Sequence, residues 1–421
     1  MVTPNATMNG GYINGTPNGS SLNETDAAAL KLPSSTSPSL TLVVATEAER
    51  EKIWNKNSGE WRGALSHEAY LRREKHLSNQ DFTKDGGITL WILVDSNDPN
   101  RTILSSCETY RKRAVIAMDG KVQDVISYGI GSVFCPPECR GNGLSSRMMK
   151  ELAQKLKSGS VREGESVAFS ILFSDIGKKF YNKMGWEPFN SSNISIPTFW
   201  KGTPPHASLD LPPSRPLFAS DLPSLCAIDE QLVRSSLLHA PADKTFVALI
   251  PDIETIRWHH AREDFVAREI HGKSPDVKGA IVGTEPGKRV WCYFTRMFYN
   301  SNPNQSNGNT LHVLRIVVEE RGLFTWERAS ADADMSAYIP AISSLFAAAL
   351  SEAQKWNMHE VEIWNPTEPT VRAAQALYPG AKVIDRDNES IASLMWYGPR
   401  KTTGPVADEV DWLGNEKYGW C

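Results

Sequence analysis

The chain has 421 residues, of which 40% are hydrophobic and 22% charged, with a formal net charge of −4. That length exceeds one core of common size and predicts two domains with tails, and the composition is that of a soluble globular protein. A slightly acidic chain with scattered Lys and Arg offers no electrostatic footprint for nucleic acid. No apolar run approaches a membrane span and the first residues lack the basic and apolar regions of a signal peptide, so no membrane association and a cytoplasmic location are expected. The cysteines, at 107, 135, 139, 226, 292 and 421, form no CxxC pair, which fits reduced thiols. Cys135 and Cys139 have no His or further Cys close in sequence to complete a tetrahedral site, so no metal is expected.

Residues 1–38 are dominated by Asn, Gly, Ser, Thr and Pro and carry too few core formers to offset the entropy of ordering, so a disordered tail is expected. A predicted strand at 40–45 leads into Thr46-Glu-Ala-Glu49, spaced as a capping box. Helical segments carrying Trp54, Trp61, Tyr70 and Leu71 follow. A break at Asp85-Gly-Gly precedes a strand at 88–94, then strands at 103–109 and 113–118. A strand at 125–134 runs into Cys135-Pro-Pro-Glu-Cys-Arg-Gly-Asn-Gly-Leu-Ser145 and a helix beginning near Ser146. Gly141 and Gly143 remove Cβ atoms that would hold an anion off the main chain, and a helix N-terminus carries unpaired donors and partial positive charge. The loop therefore reads as a seat for a pyrophosphate. An apolar strand at 167–173 precedes a short helix opened by Ser174 or Asp175 and closed by Gly185. Strands near 187–189 and 194–200 should close this domain, set at 39–202.

A Pro-rich linker at 203–216 separates the halves. Beyond it, residues 216–228 repeat the opening logic of strand, Ser/Asp cap and helix. Strands at 290–298 and 312–318, a helix at 340–356, a strand at 359–364, a helix at 370–377 and a strand at 390–397 complete a second domain, set at 217–400, with a tail at 401–421. Between Val318 and Pro340, where a second phosphate loop would fall, there is no Arg-x-x-Gly-x-Gly. The second domain is read as a degenerate copy that has lost cofactor binding and shapes the acceptor pocket, with an unrelated α/β domain as the alternative.

Two segments carry a family resemblance. Arg140, Gly143 and Ser145 match an Arg-x-x-Gly-x-(Gly/Ala) signature, and Phe180-Tyr181-x-x-x-Gly185-Trp186 matches a Phe-Tyr-x-x-x-Gly-Phe motif at the expected separation. The chain thereby resembles the GCN5-related N-acetyltransferase (GNAT) superfamily, departing from it with Ser145 for Gly or Ala and with Ser174 where Asn is frequent. Ser105-Ser-Cys-Glu-Thr-Tyr-Arg111, the Pro-Pro-Glu-x-Arg-Gly loop, the long second half and the ending at 411–421 further resemble the fungal lysine N6-acetyltransferases of lysine catabolism.

The resemblance implies an α/β (α+β) acyl-CoA N-acyltransferase fold, a mixed central sheet flanked by helices. It implies an enzyme moving acetyl from acetyl-CoA to the ε-amine of free L-lysine, a small-molecule partner, by direct attack in a ternary complex. Backbone N–H groups of Arg140, Gly141, Asn142, Gly143, Leu144 and Ser145 would take the pyrophosphate. Val133, Phe134 and Cys135 would pair with the pantetheine amides, with Ser174 beside the same arm. Tyr181 falls on the position that in many members protonates the leaving sulfur, against the alternative of a core tyrosine packing beside Phe180. A lysine ammonium must lose a proton before attack, and Glu108 is the candidate base or charge partner, against the alternative of a solvated strand carboxylate. Arg111, Arg113 and Arg234 are undistinguished candidates for the substrate carboxylate. An acetyl-cysteine route through Cys107, Cys135 or Cys139 is disfavoured because none has an evident His partner. His259-His260 with Arg262-Glu263 reads as a solvated or interdomain helical face, and Trp412, Tyr418 and Trp420 either line the acceptor cleft or dock the tail for stability. Two further functions stay open: acetylation of another amine (polyamine, protein lysine or N-terminus), and a non-catalytic acyl-CoA-binding regulator.

Overall fold

The computed structural model describes residues 32–159, 161–162, 164–199, 209–320 and 336–421. The first half runs β1 (Leu40–Val44), α1 (Glu47–Trp61), α2 (His67–Ser78), β2 (Ile88–Asp95), β3 (Ser105–Met118), β4 (Lys121–Phe134), α3 (Leu144–Lys157), β5 (Val167–Ser174), α4 (Lys179–Asn182), β6 (Glu187–Pro188) and β7 (Ser192–Pro197). The second runs β8 (Ser214–Leu217), α5 (Leu222–Leu238), β9 (Thr245–Leu249), α6 (Ile253–His271), β10 (Gly279–Val282), β11 (Val290–Met297), β12 (Thr310–Val318), α7 (Ile339–Lys355), β13 (Glu360–Trp364), α8 (Glu368–Leu377), β14 (Val383–Asp385) and β15 (Ile391–Trp396), then α9 (Val406–Glu409) and β16 (Val410–Leu413). Thr46 and Glu49 form the capping box that opens α1. The two halves repeat one plan, and among the described helices and strands the additions are β9 in the second half and α9 and β16 in the tail.

The first sheet has the order β1-β2-β3-β4-β5-β15-β6, with β9 on β3 and β16 on β9; the second is β14-β7-β13-β12-β11-β10-β8. Each half therefore lends its last long strand to the other. β15 pairs antiparallel with β5, from Ile391 opposite Ser174 to Trp396 opposite Phe169. β7 lies between β13 and β14, with Ile194 opposite both Ile363 and Val383. β7 thus does not close the first sheet, contrary to the sequence expectation. Its alternation, Ser-Asn-Ile-Ser-Ile-Pro, dictates that Ile194 and Ile196 be buried, but not which sheet buries them.

Helix α3 covers one face of the first sheet through Met148, Met149, Leu152 and Leu156 against Trp91, Leu93 and Trp186. Helices α7 and α8 cover the outer face of the second. The remaining faces meet across Phe169, Ile171, Trp291 and Leu314, with Trp412 and Tyr418 of the tail between them. The tail is anchored by Arg315, which bonds Asp229 through two 2.8 Å contacts and also reaches Glu416. Glu416 takes the Ile316 N–H at 3.1 Å, just past the last β12–β13 pair, Val313 with Ile363.

Several expectations shift. The strands expected at 103–109 and 113–118 form one 14-residue strand, β3. Ser174 still belongs to β5, and the helix after it is the short α4 rather than one capped at 174 or 175. His259, His260 and Glu263 are buried against β11 and the tail, not solvated. The segment 32–38, expected in the disordered tail, packs on α3 because the Arg147 guanidinium takes the carbonyls of Ser35, Ser37 and Leu40. The rest of that tail (1–31), part of the linker (203–208) and the segment replacing a second phosphate loop (321–335) lie outside the described residues. No helix among the described residues is long and apolar enough to cross a membrane.

Candidate active site

The parallel β4–β5 ladder ends at Ile130 opposite Leu172. Gly131 to Phe134 continue along β3 alone, and the two strands part. Val133 and Cys135 are half-buried at this opening. The loop then turns through Gly141 (φ 80°) and Gly143 (φ 72°), the N-cap of α3. Both are left-handed conformations that a glycine adopts without strain. The N–H groups of Gly141, Asn142, Gly143, Leu144 and Ser145 donate to no described residue, and nothing stands within 4 Å of where a Cβ on Gly141 would be. A row of N–H groups at a helix start that no described residue bonds, with open space beside Gly141, fits a phosphate group. Arg140 braces the loop, its Nε donating to the Cys135 carbonyl at 3.0 Å and its Nη2 reaching Glu60 at 3.4 Å.

Glu108 faces the same opening from β3. It is 3% exposed, so it is not a solvated strand carboxylate. Its Oε2 accepts from the Tyr110 hydroxyl at 2.8 Å and from the Ser132 hydroxyl at 2.8 Å. Burial holds this carboxyl above the usual carboxylate range and the charge of Glu74 adds to that, while the two hydroxyl donors oppose it. Ser132 was not foreseen; a lone serine in a strand gives no signal. Tyr110 in turn stacks on Phe82, ring centroids 6.1 Å apart, and meets Trp258 edge-on at 5.7 Å.

Tyr181, on α4, is 8% exposed and meets Phe180 edge-on at 5.0 Å. Its hydroxyl bonds no described residue, and burial raises its pKa, so it stays protonated. Ser174 uses its hydroxyl locally, donating to the Gly177 carbonyl at 2.8 Å and accepting from the Ile176 N–H. The sulfur chemistry is unfavourable: burial pushes the Cys139 thiol up to about 11 and raises Cys107 as well. The three arginines singled out earlier are engaged elsewhere: Arg111 with Glu165, Arg113 with Glu230, and Arg234 with Asp124 and Glu230. The tail docks on the body. Tyr418 is fully buried and donates to the Leu249 carbonyl, whereas Trp420 lies against His259 and Trp258. A Cβ on Gly129 would stand 2.7 Å from Cys421 Sγ, so β4 needs glycine there for the tail to approach.

A curated relative is the lysine acetyltransferase of Yarrowia lipolytica, 25% identical over 259 residues. That alignment takes in 53% of this chain and 65% of the relative, just under two thirds of its length. An uncharacterized protein of Saccharomyces cerevisiae is 22% identical over 403 residues, 86% of this chain and 93% of that one. Among solved structures, a GCN5-related N-acetyltransferase from Anabaena variabilis shares 14% identity and a TM-score of 0.48, covering 85% of this chain and 73% of its own. The N-myristoyltransferase of Saccharomyces cerevisiae, solved with bound myristoyl-CoA, shares 11% and 0.49, covering 89% and 82%. A family model described as the LYC1 GNAT-like C-terminal domain matches residues 201–421, more than half of the chain. That match embraces β8 to β16, the half that repeats the plan of the first, and the chain belongs to this GNAT-like family.

Proposed function

We propose that the protein is an acetyl-CoA-dependent N-acetyltransferase and that its acceptor is the ε-amine of free L-lysine. The observation that carries the reading is the row of N–H groups from Gly141 to Ser145 that no described residue bonds, set where β4 parts from β5. Acetyl-CoA would supply the activated acetyl thioester. Glu108 is within the same opening, buried and raised in pKa, so its ionised form is a stronger base than a free carboxylate and takes the proton that the ammonium must lose. Tyr181 carries a protonated, unbonded hydroxyl suited to hand a proton to the departing sulfur. The raised thiols favour direct attack by the amine over an acetyl-cysteine intermediate. The similarity to the Yarrowia lysine acetyltransferase supports lysine as the acceptor.

The test is thiol release from acetyl-CoA across L-lysine, ornithine, spermidine and a histone-tail peptide, with Glu108→Gln alongside. Release with L-lysine, reduced roughly 100-fold or more in the variant, is the expected result. Preference for spermidine or the peptide would overturn the acceptor. Acetyl-CoA binding without turnover on any amine would overturn the enzyme itself.

A further inference from the structure

Around Trp364 and Trp420, cations and tryptophans alternate. The Arg386 guanidinium carbon lies 3.9 Å from the Trp364 ring centroid, and Lys417 Nζ lies 4.0 Å from the same ring and 4.3 Å from that of Trp420. Arg262 continues the series, 5.6 Å from Trp420. These side chains come from α6, β13, the β14–β15 connection and the tail, so no local stretch of sequence displays them together.

None of the three cations bonds a described acceptor. All three guanidinium nitrogens of Arg386 are buried and unbonded. Lys417 is 3% exposed. The nearby carboxylates are held by others: Glu362 accepts from the Trp364 indole and from Asn193 and lies 3.3 Å from His312, while Asp175 accepts the Ser390 N–H. Elsewhere in the protein buried guanidinium groups are matched: Arg315 with Asp229, Arg296 with Glu263 and Glu352. Tryptophan faces offset part of the desolvation of a cation, about 2 kcal/mol at a desolvated site, whereas the effective penalty for an unpaired buried ion is several kcal/mol. The cluster is thus preset for an anion. Burial and the Arg386 and Arg262 charges push Lys417 down to about 7, a value that an anion beside it would raise.

We infer that Arg386 and Lys417, with the Arg262 charge behind them, hold the carboxylate of the acceptor, which is therefore an amino acid and not a simple amine or a peptide side chain. The inference rests on the reading that this opening acetylates an amine. Its position ties it to the acceptor: Trp364 packs on Phe173 of β5 at 5.5 Å, and Trp420 reaches through Trp258 to Tyr110, which bonds Glu108. The series therefore connects Phe173 of β5 with Glu108 of β3, the carboxylate proposed as the base. A planar guanidinium also suits two-point contact with a carboxylate.

The experiment compares L-lysine with L-lysinamide as acceptors, and measures binding of L-norleucine, which has the carboxylate but no ε-amine, by calorimetry in the presence of CoA. Wild type should prefer lysine by roughly 10- to 100-fold in kcat/KM, the range for one charged hydrogen-bonded contact. Arg386→Gln and Lys417→Met should each bring the lysine-to-lysinamide ratio toward one and weaken norleucine binding by a similar factor. Equal use of lysinamide by wild type, or norleucine binding that survives Arg386→Gln, overturns the subsite. Arg386-dependent norleucine binding without any acetyl transfer would instead sink the acetylation reading and leave the subsite standing. If neither variant folds, as judged by near-ultraviolet circular dichroism, the wild-type comparison of lysine with lysinamide decides alone: a preference below about tenfold overturns the subsite.

Discussion

Ser132 donates a 2.8 Å hydrogen bond to Glu108 Oε2 from a backbone at φ 50°, the left-handed region, inside a strand. The β3–β4 register slips between Ser106 and Glu108 at this point, so the bulge turns the Ser132 hydroxyl onto the carboxylate. A non-glycine residue held there costs about 1–3 kcal/mol. Ser132→Ala removes a donor that favours the ionised form, so the carboxyl titrates higher. Because the base is ionised only above its pKa, kcat/KM falls as pH falls, and the decline should begin at higher pH in the variant. We expect the acid limb to move up by roughly one pH unit, from a charged hydrogen bond of about 1.5 kcal/mol. An unchanged acid limb in Ser132→Ala would remove Ser132 from the chemistry.

Tyr181→Phe deletes a hydroxyl that bonds no described residue. Thermal stability should therefore stay within about 0.5 kcal/mol of wild type. Turnover should fall by roughly 100-fold or more, as for loss of a general acid, with acetyl-CoA affinity kept. A variant that is destabilised but fully active per folded molecule would mark Tyr181 as a packing residue beside Phe180.

The loop at 135–145 was legible because its glycines, its helix start and the strand before it are all local. The capping box at Thr46 and Glu49 was legible for the same reason. What escaped is non-local. All five residues of β9, Thr-Phe-Val-Ala-Leu, are buried, so they show no alternation to read, and β9 is a strand only because β3 and β16 flank it. Glu108 was placed correctly on its strand, yet its partner Ser132 depends on a bulge that no residue pattern announces. Arg111, Arg113 and Arg234 were no worse as sequence candidates than Arg386; what separates them is that Glu165, Glu230 and Asp124 reach the first three and no described carboxylate bonds the last.

Gly143→Ala tests the phosphate seat. The position has φ 72°, and an added Cβ would stand 3.1 Å from Ser35 Oγ and 3.3 Å from Ser35 Cβ. Strain of about 1–2 kcal/mol from the left-handed backbone adds to that crowding, so acetyl-CoA affinity should drop roughly tenfold by titration calorimetry. Ser35→Gly in the same chain relieves the contact but not the backbone. Recovery in the double variant would therefore assign the defect to the segment at 32–39, and persistence would assign it to the loop's own conformation.

The exchange of β7 and β15 predicts where damage in one half is felt. Ile196 belongs to the first half but is fully buried in the cluster of α7 and α8. Ile196→Ala should cost about 2–5 kcal/mol through lost burial and the cavity left behind. Amide hydrogen exchange should show the loss in β13, β14 and α8, the neighbours of β7, ahead of β5 and α3. Leu394→Ala in β15 should do the converse, loosening β5 and β6 ahead of β13. Because each sheet depends on a strand from the other half, neither can open fully alone, and denaturant unfolding should be a single transition with both sheets lost together. Two separated transitions, or protection loss in Ile196→Ala confined to β5 and β6, would mean that the strands return to their own halves.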